Sequence, residues 1–167
     1  MSVTFGGIPM TELASVELGN ITGTLGAGHF YRFGLANITA GTKTVRVQFD
    51  QGGVKASANS VSYLNVSSIG SAQTTPLTTG GSLSQTVTTS SAELSVQSFA
   101  GVNNNGTPFQ SLSGGTNRYN SNSGSAQLAI NDSTAASTTF TATTNSSTTY
   151  PEYWLGCAHK LIAAVPV

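Results

Sequence analysis

Thr42–Phe49 reads TKTVRVQF, and the fold class turns on it. Val45, Val47 and Phe49 fall on one side of an extended chain, with Thr44, Arg46 and Gln48 on the other, because successive side chains of a strand point to opposite faces. That period of two is the pattern of a half-buried antiparallel strand. Asp50-Gln51-Gly52-Gly53 then supplies turn chemistry, glycine covering any position that needs a positive φ. Outward from this strand, similar stretches between Gly/Asn/Ser/Thr clusters mark Val3–Phe5, Met10–Glu17, His29–Leu35, Val54–Val66, Ser84–Thr88, Glu93–Phe99, Ala126–Ile130, Thr138–Thr143 and Trp154–Ile162. Residues 67–81, 101–115 and 131–137 read as loops, and 145–149 as a shorter one. Helical periodicity is almost missing, and the charged and amide helix formers are sparse. The expectation is an all-β chain: an antiparallel β-sandwich or jelly roll of about 8–10 short strands with almost no helix, one domain over residues 1–167.

Ser, Thr, Asn and Gly make up 78 of the 167 residues, and charged residues only 7%. Soluble domains usually carry about 25% charged residues. Six basic and six acidic side chains leave no net charge, so there is no electrostatic footprint for nucleic acid or for an anionic membrane surface. A hydrophobic share of 38% is too high for a disordered hydroxyl-rich linker. Residues 1–10 (MSVTFGGIPM) lack the basic and apolar regions of a secretory signal, so synthesis in a cytoplasm without conventional export is expected. The longest apolar run, Leu161–Val167, contains Pro166 and is far too short for a membrane span. Cys157 is alone, which excludes an intrachain disulfide framework.

Candidate chemistry is thin. Cys157 and His159 share a face of a predicted strand, the minimum for a nucleophilic dyad, yet no third group orients them. A small buried thiol beside a half-exposed imidazole is the plainer reading. Zinc would have at most His29, Cys157 and His159 to hold it, and Asn131-Asp132-Ser133 offers calcium a single acid, so no metal or cofactor is expected. Phosphate-loop, nucleophile-elbow and paired-cysteine motifs are absent, and the expectation is a protein that is not an enzyme. Tyr150, Tyr153 and Trp154 could instead form a platform for stacking sugars, with Tyr119 and Asn117 among further contacts. Anchoring of this aromatic cluster in the core at a strand start is the competing expectation.

A neutral surface of hydroxyls, amides and glycine protects a free monomer poorly and suits a protein held in an assembly. The ordered segments are Val3-Thr4-Phe5-Gly6-Gly7, Met10-Thr11-Glu12-Leu13, His29-Phe30-Tyr31-Arg32-Phe33 and Ala40–Val47. Val61–Val66, Thr74-Thr75-Pro76, Glu93–Phe99, Gly115–Tyr119 and Tyr153-Trp154 follow. In this order the chain resembles the small β-sandwich virion proteins, of minor tail or head-decoration type, of tailed bacteriophages that infect actinobacteria. The resemblance implies a non-enzymatic structural component of a virion surface, a capsid decoration or minor tail protein that stabilises the particle or contacts the host. It implies other virion proteins as partners, a homo-oligomer, a possible host-surface glycan, no nucleic acid and no membrane insertion. Location in the virion after synthesis in the host cytoplasm follows from the same likeness. The alternative is a carbohydrate-binding β-sandwich module built on Tyr150, Tyr153 and Trp154.

Overall fold

The computed structural model describes residues 1–21, 26–54, 56–90, 92–102, 106–144 and 153–164. Among these residues the chain is all-β and antiparallel, with no helix. In chain order the strands are β1 Ser2–Phe5, β2 Ile8–Pro9, β3 Thr11–Ile21, β4 Gly26–Gly34 and β5 Val45–Gln48. They continue as β6 Val66–Ile69, β7 Gln73–Thr74, β8 Thr78–Thr79, β9 Ser82–Thr88 and β10 Glu93–Val102. The last five are β11 Gln110–Ser113, β12 Thr116–Ser123, β13 Ala126–Ser133, β14 Ser137–Thr143 and β15 Tyr153–Ala163.

The centre is a sheet in the order β12-β13-β10-β15-β6. β10 is buried without interruption from Ser95 to Gly101, and β15 from Trp154 to His159, so these two strands have residues buried on both faces. One face carries Phe99, Ala129, Trp154 and Ala158 and packs on the small sheet β11-β14-β9 through Leu83, Val87, Phe140 and Ala142. Trp154 sits 5.9 Å from the Phe109 ring centroid and 6.5 Å from that of Phe99, within the range of favourable aromatic pairs. The opposite face carries Ala100, Leu155 and Cys157 and receives Leu18 and Phe30 of the β3–β4 hairpin. These layers make the β-sandwich expected from the sequence.

Side-chain amides cross the first interface as a directional chain. Asn117 donates to Asn131 Oδ1 (2.9 Å), Asn131 to Gln97 Oε1 (2.9 Å), Gln97 to Gln85 Oε1 (3.3 Å), and Gln85 to the Gln73 carbonyl (2.7 Å). Burial of these amides is sustainable because each finds a partner. Gly156 lies against the chain, where an added Cβ would stand 2.6 Å from Gln85 Oε1. Gly114, at φ +86°, makes the turn from β11 to β12, and a Cβ there would fall 2.1 Å from the Thr139 carbonyl oxygen.

The structure corrects several boundaries. β5 is shorter than Thr42–Phe49: Val45 and Val47 are half-buried and pair with Phe5 and Val3, whereas Phe49 lies beyond the strand and is exposed. Of the strand expected over residues 54–66, residues 56–65 form no ladder, and Asn65 adopts a left-handed φ of 58°. An alternating pattern without a partner edge does not become a strand. Residues 67–81, expected as a loop, mostly run along β15, which β6, β7 and β8 cover in turn. β12 (TNRYNSNS) was hidden by its polarity; its register on β13 holds it, and Asn120 and Asn122 reinforce it with bonds to the Phe109 and Gly106 carbonyls.

Candidate functional site

The second face of the central sheet is only partly covered, and this leaves a cleft of about 1630 Å³. Cross-strand register places Val96 beside Asp132 and His159, and Ser98 beside Ile130 and Cys157; of these, Val96, Ser98, Ile130 and His159 border the cleft. Its walls are β4, β5 and the irregular segment around residues 56–64.

β4 brings a cation into this space. Phe30 faces the core, and Arg32, two residues on, points the same way because strand side chains alternate. Its guanidinium donates to the Val96 carbonyl (3.1 Å) and, by a short bond, to Ser98 Oγ. Both acceptors are neutral. Protein surrounds the group, yet its side chain is only half-buried, because part of it borders the cleft. Desolvation pulls its pKa below its ordinary value, but an arginine stays charged in a protein.

Cys157 and His159 do lie together, with Sγ 3.9 Å from Nε2. The Gly70 carbonyl, 2.9 Å from Nδ1, can only accept a hydrogen bond. Nδ1 therefore carries the proton, and Nε2 is an acceptor towards the thiol. Burial raises the Cys157 pKa and so favours the thiol over the nucleophilic thiolate. The pair is a packed, hydrogen-bonded element of β15.

Burial also lowers the His159 pKa from 6.5, opposed by its bond to Gly70. The folded protein then binds fewer protons here than the unfolded chain, so His159 contributes stability that is complete above about pH 6.5 and is lost as the pH falls below it. Thermal midpoints between about pH 7.5 and 5.5 should therefore decline, and His159→Gln should remove that component of the slope. An unchanged slope in His159→Gln would refute the assignment.

Asp132 sits beside Val96 on the neighbouring strand. Its Oδ2 accepts from Tyr63 Oη (2.8 Å) and from Arg118 Nε (2.6 Å). Burial, followed by the bond to Asp132, pushes the Tyr63 phenol well above its ordinary value of 10 and keeps it a donor. This contact pins the irregular segment to the sheet. On the outward side of β4, His29, Tyr31 and Phe33 form a row of rings with centroids 5.7 and 6.4 Å apart.

The residues expected to contact a glycan are not assembled into one platform. Trp154 is fully buried in the aromatic core, so it has no face to offer a sugar; its role as a platform residue is corrected to a core anchor. Tyr153 is half-buried and pairs with Val102 and Thr79. Tyr119 lies on β12, three strand spacings away, roughly 14 Å in this sheet. Asn117 commits its amide hydrogens among the Tyr119 carbonyl, the Ile130 carbonyl and Asn131 Oδ1. Tyr150 lies outside the described residues. Among the described residues no three His, Cys, Asp or Glu side chains converge as metal ligands would.

Arg32 and Tyr63 were not singled out from the sequence. The signal for Arg32 is its phase, an arginine two residues after a core phenylalanine on one strand. Tyr63 carried none, because its role depends on a distant carboxylate. No protein-family model matches the chain, and no curated protein or solved structure matches it significantly.

Proposed function

We propose that the protein is a non-enzymatic structural component of a bacteriophage virion surface, a capsid decoration or minor tail protein. It docks on neighbouring virion proteins, and on further copies of itself, to stabilise the particle or contact the host surface. The observation that carries this reading is the apolar flank bordering the cleft. Ile38, Phe49, Val54, Val61 and Leu64 are all exposed there, Leu64 at 85%, on a chain with only 7% charged residues. Apolar patches ringed by polar surface are the mark of interaction sites, and low charge eases their burial. The edges of β3 and β4, which among the described residues pair only with each other, add backbone groups able to extend a ladder.

Light scattering across concentration on the purified chain tests the proposal. A closed oligomer is expected, most simply one matching the symmetry axes of a particle. Leu64→Asp, placed at a position with no packing to lose, should shift that oligomer towards monomer. A chain that stays monomeric at every concentration and has no affinity for virions overturns the reading.

A further inference from the structure

Among the described residues the cleft holds a cation, Arg32, that forms no ion pair; Asp50, which also borders the cleft, is taken up by the Met1 amino group. Two neutral acceptors satisfy part of the Arg32 guanidinium, which has five N–H donors. The titratable groups acting on it are the Cys157 thiol and the Tyr63 phenol, both of which burial favours in the neutral state. Asp132, on the neighbouring strand, is already engaged by Arg118 and Tyr63. Lys43 also borders the cleft, but it lies against Gly6, on the β1 side. A charge removed from water without a partner is costly, and an anion arriving at Arg32 recovers that cost.

The rest of the cleft has a different character. Leu128, Ile130 and Leu161 on the sheet and Val61 from the irregular segment all border the space. Its volume exceeds the roughly 300–1,000 Å³ of ordinary small-molecule pockets. One half-buried cation beside a stretch of apolar lining is matched by one negative charge on a long apolar body. We infer that the cleft binds a long-chain aliphatic carboxylate, its head paired bidentately with Arg32 and its chain laid against Leu128 and Ile130.

Calorimetric titration of the full chain with dodecanoate, below its micellar concentration, tests this. Saturable one-to-one binding is expected, weakened about tenfold to hundredfold by Arg32→Met, because a charge-assisted contact is lost. Acetate, which lacks the chain, and dodecyltrimethylammonium, which reverses the charge, should each bind at least about tenfold more weakly. Arg32→Met should unfold no sooner than the parent, since it removes a charge with no ion-pair partner among the described residues. Should it nevertheless fail to fold, Ile130→Trp keeps Arg32 and obstructs the apolar wall, and it should abolish binding. Absence of saturable binding, equal affinity in Arg32→Met, equal affinity for the cationic amphiphile, or full affinity in a folded Ile130→Trp overturns the inference. It stands apart from the assembly reading: a strict monomer that takes up dodecanoate would sink that reading and leave this one intact.

Discussion

Trp154→Ala should destabilise the protein by about 3–5 kcal/mol, the range for emptying a large aromatic from a close-packed core. Trp154 is fully buried and contacts Phe99 and Phe109, themselves 0% and 2% exposed, so the surrounding rings have little freedom to close the void. Trp154→Phe should cost far less, under about 2 kcal/mol, because phenylalanine keeps most of the ring volume. The Trp154 Nε1 atom is buried with no hydrogen-bond partner among the described residues, and phenylalanine removes that orphan donor along with the lost ring volume. Urea unfolding curves followed by circular dichroism check both values. Near-equal losses in the two variants would show that retained ring volume does not fill the site. Because the chain has a single tryptophan, the parent's emission should also be blue-shifted and shielded from acrylamide until the protein unfolds.

Gln97→Leu should cost about 2–5 kcal/mol although it places an apolar side chain in a buried site. Gln97 is fully buried and is the central link of the amide chain. Its loss leaves the Asn131 amide without its acceptor and Gln85 Oε1 without its donor, each orphan worth about 1–3 kcal/mol. A double-mutant cycle with Asn131→Leu sharpens the expectation. The double variant should lose about 1–2 kcal/mol less than the two single losses added together, because removing both partners of a bond leaves fewer groups stranded. A neutral Gln97→Leu, or strict additivity, would mean that the amides do not act as a connected chain. Such a chain also restricts the register of the facing sheets, since a one-residue slip of β10 would carry Gln97 to the opposite face.

Much of the fold was legible because its cause is local. Alternation in Val45–Phe49, turn chemistry at Asp50–Gly53 and the scarcity of helix formers each act within a few residues, and they predicted an all-β sandwich that the structure contains. The run Trp154–Ile162 was read as a strand, and it is β15, an interior strand of the central sheet between β10 and β6. Where the cause is distant, the reading failed. Residues 60–65 alternate as well as β5 does but meet no partner edge, and β12 has no apolar alternation yet is held by its register on β13.

The site divides on the same line. Composition by itself determined that the surface is neutral and hydroxyl-rich, that no cysteine framework exists, and that Cys157 and His159 share a strand face. It left open whether Trp154 faces solvent or core, because strand alternation states that two faces exist without stating what covers each. Packing of β9, β11 and β14 on one side of the central sheet made Trp154 a core anchor and joined the amides. Incomplete coverage of the other side left the cleft with Arg32 at its wall and Tyr63 reaching across to Asp132. Alternation is a property of a few neighbouring residues; coverage depends on segments tens of residues apart meeting in space, and only the tertiary structure decides that.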